Sequence, residues 1–236
     1  MPWPNGSLDT FADQQFFLRQ GDTAYWYQAQ ICPCGSDPNA PSDMSQSNIS
    51  CQVCGGLGRF YPNAPTRIRG IVSNAIQDRQ LLDTGFKLDA SDVVWSADPY
   101  SDGPLSAFDL LILDGDPHTW PFEGQVLVRG SGTTDMLFYN ASELGDIYTV
   151  DPSTGTQTSY TDAGATFSGK TINWSNATSQ PSVGQFYSVK YRCQYEWVVY
   201  MPPMVRYEKT QSLGQKVVLR KRHIVRQSSL PTLIQA

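Results

Sequence analysis

Four of the five cysteines of this chain lie in one short stretch and form two close pairs, Cys32/Cys34 and Cys51/Cys54. Two such pairs are typical of sites in which a short segment wraps a soft metal ion, each pair supplying two of four tetrahedral ligands. Gly56 and Gly58 follow the second pair, and glycine permits the tight backbone path that a metal-bound sulfur requires. The pattern predicts a structural zinc site, because four thiolates close the coordination shell and leave no position for water.

Other uses of these cysteines stay open, and free thiols or another metal are among them. Two disulfides would suit a secreted protein, although the N-terminus, Met-Pro-Trp-Pro-Asn-Gly, has neither the basic start nor the apolar core of a signal peptide. An iron–sulfur cluster also takes four thiolates. The one-residue gap between Cys32 and Cys34 is tighter than usual for zinc, and Pro33 removes an amide that could donate to a thiolate. Zinc is the first candidate.

The other residues capable of chemistry form no recognisable catalytic set. A nucleophilic triad needs a histidine beside a serine or cysteine and an acid, and the chain has only His118, in a turn-like segment, and His223, among basic residues. The acids Asp109, Asp114 and Asp116 miss the spacing of a calcium-binding loop. We therefore predict no catalytic residues, no organic cofactor and no enzymatic activity.

A basic segment near the C-terminus is a second candidate for binding. Between positions 206 and 226 there are seven Lys or Arg and one acid, Glu208, in a chain of net charge −5. Cations along one face of a strand pair would contact nucleic-acid phosphates or the acidic surface of a neighbouring subunit. The residues expected to make such a contact with DNA or a subunit are Lys216, Arg220, Lys221, Arg222 and Arg226.

The composition predicts a mainly β fold. Charged residues make up 17% of the 236 residues, whereas glycine, proline and aromatic residues are frequent, which favours short strands joined by turns. Segments that alternate or run apolar, near residues 68–73, 85–88, 93–96, 109–113 and 125–129, are separated by turn signals such as Asp102-Gly103 and Asp114-Gly115, a spacing typical of a small barrel or sandwich. A further strand is predicted at 186–191. Residues 7–19 form the one predicted helix. No apolar run reaches the length of a membrane span, so no membrane association is expected.

Four parts follow from these patterns. Residues 1–66 are predicted as an arm with the four-cysteine metal site, 67–140 as a barrel or sandwich part, and 141–192 as an inserted or appended β-module. Residues 193–236 are predicted to complete the body with a long strand from Lys216 to Val225, basic side chains outward, and a tail. The polar loop between the cysteine pairs offers no core, so the metal is expected to hold the arm together.

Two stretches resemble proteins of tailed bacteriophages. The first resembles the N-terminal part of phage neck proteins, and its motif is Tyr25-Trp26-Tyr27-x-Ala29-x-Ile31-Cys32-Pro33-Cys34 with Cys51-x-x-Cys54-x-Gly56-x-Gly58-x-x-Tyr61. The second is similar to a β-module that recurs in phage virion proteins, and its motif is Phe167-x-Gly169-x-x-Ile172-x-Trp174 with Pro181-x-x-Gly184-x-x-Tyr187-x-Val189-x-Tyr191. Together the two stretches cover about half of the chain.

This resemblance implies a structural virion protein that forms a homo-oligomeric ring in the neck, the head-to-tail connector or collar region between portal and tail. It implies portal or adaptor proteins and tail proteins as partners, DNA passing through an axial channel, and assembly in the host cytoplasm. The competing hypothesis is a zinc-stabilised, β-rich module that binds nucleic acid or protein. Ring formation separates the two hypotheses.

Overall fold

The structure is a computed structural model that describes residues 10–34, 51–54, 58–74, 91–98, 104–200, 204–208 and 211–229. It divides into two compact units, which we call the barrel unit (Met1–Asp114 with Glu196–Ala236) and the inserted unit (Gly115–Tyr195). Its helices are α1 (Thr10–Gln20) and α2 (Arg222–Ser229). Its strands are β1 (Asp22–Tyr27), β2 (Gln30–Ile31), β3 (Arg59–Phe60), β4 (Thr66–Asn74), β5 (Val93–Ala97), β6 (Leu110–Leu113), β7 (Phe122–Val128), β8 (Thr134–Met136), β9 (Asn140–Val150), β10 (Gln157–Ser159), β11 (Thr166–Ser168), β12 (Thr171–Asn173), β13 (Phe186–Gln194), β14 (Glu196–Val199), β15 (Met204–Glu208) and β16 (Gln211–Lys221).

A closed barrel of six antiparallel strands forms the centre of the barrel unit. The strand order is β14-β6-β1-β4-β5-β16, and β16 pairs back with β14 through Trp197↔Lys221 to close the circuit. Strand β15 is not one of the six barrel strands, and it pairs antiparallel with β16. Closure pairs strands whose edges would otherwise be exposed. The predicted mainly β fold with a barrel is confirmed.

Large apolar side chains fill the barrel. Ala24 and Trp26 alternate with less buried residues along β1, and Trp95 on β5 is fully buried. Gly70 on β4 lies directly beneath that indole, because a Cβ placed on Gly70 would lie 2.4 Å from Trp95 Cε2. A strand glycine at such a close approach is required by packing.

The inserted unit has two sheets over one core. A four-stranded sheet, β10-β9-β13-β7, packs with a three-stranded sheet, β11-β12-β8. Asp135 is buried at this core and accepts hydrogen bonds from Trp174 Nε1 and Tyr187 Oη, both at 2.9 Å. The buried residues of the core are Leu137, Tyr139, Ile147, Ile172, Trp174, Tyr187, Val189, Tyr191 and Cys193.

The chain enters the inserted unit from one barrel strand and leaves it into the neighbouring strand. Strand β6 precedes the unit, β14 follows it, and these two strands pair with Ile112 opposite Glu196. The unit begins at Gly115, whereas the predicted module began at 141. A boundary at 140/141 would separate β7 and β8 from β13 and β12, with which they pair.

The last predicted strand ends earlier than expected. Strand β16 stops at Lys221, and helix α2 follows from Arg222, although the β-branched pair Ile224 and Val225 favours a strand. Val225 instead packs with Leu110 and Val198 in a buried cluster, so tertiary packing overrides local propensity. The predicted N-terminal helix corresponds to α1, and a strand predicted at 85–88 lies outside the described residues. No helix among the described residues is long and apolar enough to cross a membrane.

Candidate metal centre

The four cysteines meet at the tip of a short hairpin in the barrel unit. Its two strands, Gln30–Ile31 and Arg59–Phe60, pair antiparallel. Cys32 follows the first strand, and its N–H donates to the carbonyl of Gly58 at 2.9 Å. Gly58 has a φ of 67°, in the left-handed region that favours glycine. This turn returns the chain from the second cysteine pair into the hairpin.

The sulfur atoms lie at the separations expected of metal ligands. All four Sγ atoms lie within 4.8 Å of one another. The Cys32 and Cys51 sulfurs are 3.7 Å apart, and the Cys34 and Cys54 sulfurs are 3.5 Å apart. Tetrahedral ligands at about 2.3 Å from zinc stand roughly 3.8 Å apart, whereas bonded disulfide sulfurs are about 2.05 Å apart. All four cysteines are free thiols, so the disulfide alternative is wrong.

The thiols differ in their environments. Burial raises the pKa of Cys32 to about 12. At Cys51 a hydrogen bond from the backbone N–H of Cys54 favours the thiolate and lowers the pKa to about 7. Since a metal binds the thiolate form, ion binding at this cluster releases protons. Four sulfur donors suit zinc or an iron–sulfur cluster, whereas calcium and magnesium prefer oxygen ligands.

Both ends of the hairpin are bonded to one dipeptide of the barrel unit, Phe108-Asp109. Before the first hairpin strand, Ala29 N–H donates to Asp109 Oδ1 at 2.8 Å. After the second, Tyr61 Oη donates to the carbonyl of Phe108 at 3.1 Å. Asp109 is 2% exposed and also accepts from Trp26 Nε1 at 2.8 Å. The sequence patterns did not identify Asp109 as an anchor of the cysteine hairpin.

Two of the five predicted basic contact residues are buried. Lys216 is 9% exposed and Arg220 is 7% exposed. Arg220 forms a bidentate pair with Asp92, Nε to Oδ1 at 2.8 Å and Nη2 to Oδ2 at 2.7 Å. The expectation of outward-facing cations is therefore wrong at both positions, because β16 lies between β5 and β14 in the barrel.

The other three basic residues have different surroundings. Lys221 is partly buried, and Arg222 pairs with Glu196 at 2.6 Å between Nη1 and Oε2. The Arg226 side chain lies outside the described part of the structure. The structure therefore brings together the four predicted metal ligands but does not gather the five basic residues into one exposed row.

Histidines contribute no ligand to the cysteine cluster. His118 lies in a short 3-10 helix, Pro117–Thr119, where its backbone N–H donates to Asp116 Oδ1 at 2.9 Å. Among the described residues, the four cysteines are the one group of His, Cys, Asp or Glu with the spacing of a metal site. Comparison with protein-family models finds no matching family, and comparison with curated protein sequences finds no match.

Proposed function

We propose that the protein is a structural subunit of the tailed-bacteriophage neck, with no catalytic role, which assembles into a homo-oligomeric ring between portal and tail and carries one structural zinc per chain. The observation that carries this proposal is the position of the residues on which the phage resemblance rests. Most of those that the structure describes are buried or partly buried residues, turn glycines or members of the cysteine cluster. The proposed structural role does not require a substrate pocket.

The second motif specifies the inserted unit. Its glycines, Gly169 and Gly184, have φ values of 56° and 83°, so both occupy turns that disfavour other residues. Five of its large residues are buried in the core of the two sheets, whereas Phe167 is 37% exposed. The five buried residues are Ile172, Trp174, Tyr187, Val189 and Tyr191. A sequence pattern made of core and turn residues encodes a fold that can be reused in several virion proteins.

The first motif supports zinc as the resident metal. The hairpin below the cysteines has only two residue pairs, which is too short to be stable alone. A tetrahedral ion bonded to Cys32, Cys34, Cys51 and Cys54 supplies the cross-link that this hairpin lacks. Zinc fits a structural site because its coordination shell is closed by four thiolates and it has no redox chemistry.

The burial of the basic residues favours the structural function over nucleic-acid binding. Arg220 already has a carboxylate partner in Asp92, and Arg222 has one in Glu196. A surface that recognises phosphates through counterion release needs exposed cations. In the proposed ring these arginines stabilise the subunit, and DNA passes the channel without using them as its main contacts.

Native mass spectrometry and negative-stain electron microscopy of the purified chain test the ring. Closed rings of several copies support the proposal, and a monomer that retards nucleic acid in a gel favours the competing module. Elemental analysis tests the metal, with about one zinc per chain expected. Cys51→Ser should lose that zinc. The matched control Cys193→Ser should keep it, because Cys193 is buried in the core of the inserted unit.

A further inference from the structure

The hairpin that carries the cysteines contacts the rest of the barrel unit at a residue with strained backbone geometry. Phe108 has a φ of 71° and is the one non-glycine residue with positive φ among those that the structure describes. A bulky side chain rarely adopts this conformation unless its surroundings impose it. Its N–H donates to the carbonyl of Val199 at 2.8 Å, and its own carbonyl accepts from Tyr61 Oη at 3.1 Å.

The side of the hairpin that follows the cysteines supplies two of the contacts on Phe108. Tyr61 gives the hydrogen bond, and the guanidinium of Arg59 lies 4.9 Å from the centre of the Phe108 ring. The side that precedes the cysteines holds the next residue, since Ala29 N–H donates to Asp109 Oδ1 at 2.8 Å. The two sides of the hairpin therefore contact two adjacent residues of one turn, Phe108 and Asp109.

The hairpin can keep these contacts only while its two strands remain paired. Two residue pairs, Gln30↔Phe60 and Ile31↔Arg59, join its strands, and a ladder of that length is not stable by itself. At the tip, beyond the pairs, lie the four sulfur atoms within 4.8 Å of one another. Tyr61 and Phe108 also pack against the buried cluster of Leu110, Val198 and Val225, and closure at the tip adds to the contacts that hold Ala29 and Tyr61 in position at the base.

We propose that the four-cysteine cluster is a metal-dependent clasp for the end of the barrel. Metal bound at the tip keeps the hairpin closed, and the closed hairpin keeps Phe108 and Asp109 in the observed turn. Loss of the ion opens the hairpin and allows Phe108 to relax to negative φ. The contacts that Arg59 and Tyr61 make with Phe108 then depend on the bound metal. This inference rests on the metal assignment in the proposed function.

Hydrogen exchange of the full chain, loaded with zinc or stripped by a chelator under reducing conditions, tests the clasp. Removal of zinc should speed exchange at least roughly tenfold for the amides of Ala29 and Phe108, which bond to Asp109 and Val199. The amide of Trp174, which bonds to the carbonyl of Thr133 in the inserted unit, should exchange at the same rate in both states.

A pair of tyrosine variants tests the coupling from the other direction. Tyr61→Phe removes only the hydroxyl that bonds to Phe108, and Tyr187→Phe removes a hydroxyl bonded to Asp135 at 2.9 Å in the inserted unit. Because coupling between two sites is reciprocal, Tyr61→Phe should weaken zinc binding by roughly threefold to tenfold. Tyr187→Phe should leave zinc affinity unchanged, as measured by competition with a chromophoric chelator.

The outcomes separate the clasp from the metal assignment. Stoichiometric zinc with identical exchange of Phe108 in the loaded and stripped proteins would overturn the clasp and leave the zinc site standing. A chain that binds no zinc would overturn both. Equal zinc affinity in Tyr61→Phe and the unmodified protein would also refute the proposed route through Phe108. Ring formation is measured separately and is not decided by any of these results.

Discussion

Replacement of Arg220 by methionine should destabilise the barrel unit by about 3–5 kcal/mol. The side chain of its partner Asp92 is 0% exposed and that of Arg220 is 8% exposed, with 2.7 Å between Nη2 and Oδ2. Methionine fills much of the same volume but removes the guanidinium that pairs with this buried carboxylate, and the loss of that pairing is the main cost. The guanidinium also lies 3.8 Å from the centre of the Tyr200 ring. Tyr200 is 37% exposed, so loss of that contact accounts for about 0.5–1 kcal/mol of this total.

Hydrogen exchange in increasing urea is the suitable assay, because a chain of two units does not unfold in one step. The free energy of unfolding reported by the amides of β14 and β16 should fall by the predicted amount. The free energy reported by the amides of the inserted unit should stay unchanged. Arg67→Met is the matched control. Arg67 pairs with Asp114 at 2.9 Å, but the side chains are 65% and 33% exposed, so its loss should cost less than about 1 kcal/mol. The double variant Asp92→Leu with Arg220→Met should recover most of the stability.

Equal losses in Arg220→Met and Arg67→Met would refute this reasoning, because burial of the pair would then have no energetic consequence. A loss spread over both units would refute it as well. The prediction also affects how ring assembly is tested. Glutamate at position 220 would place two carboxylates in one buried site, so failure of that variant to assemble would report an unfolded barrel and would not identify a DNA or subunit contact.

Three further predictions concern the two units. Asp135→Ala should destabilise the inserted unit by about 3 kcal/mol and spare the barrel, because Trp174 Nε1 and Tyr187 Oη lose their common acceptor; urea unfolding followed by exchange of the two sets of amides measures it. Burial raises the pKa of Tyr61 to about 12, whereas an unfolded tyrosine ionises near pH 10. Stability should therefore be full below about pH 10 and fall as the pH rises toward 12, and tyrosinate absorbance should show a delayed step that Tyr61→Phe removes. Replacement of residues 115–195 by a short turn should leave the barrel folded, since Ile112 and Glu196 already pair; circular dichroism and amide protection of β6 and β14 check this.

The strands and the cysteine cluster could be predicted from the sequence because their determinants are local. Alternation of apolar residues identified segments such as β4, β5 and β13, whose buried positions alternate or run continuously. Paired cysteines with a following Gly58 identified the four residues of the cluster, since the residues that meet in space also lie close along the chain. The distances between the sulfurs agree with that prediction.

Long-range pairings could not be predicted in the same way. Asp92 and Arg220 are 128 positions apart, and no local pattern shows that a lysine-rich and arginine-rich strand contains a buried cation. Asp109 was noted only as one acid in a group, yet it bonds to Ala29 across 80 positions. Barrel closure joins β14 to β16, and that pairing depends on the whole arrangement of strands.

The position of the inserted unit has a consequence for the order of folding. About eighty residues separate β6 from β14, and closing a loop of that length costs roughly 2–3 kcal/mol more than closing a short turn. Within the inserted unit the chain ends are held together, since Cys193 N–H donates to the carbonyl of Pro121 at 3.0 Å and Arg192 Nη1 donates to that of Trp120 at 2.9 Å. Once this unit has folded, it acts as a short connection between β6 and β14. Folding of the inserted unit before the barrel therefore removes most of the extra entropic cost of pairing β6 with β14.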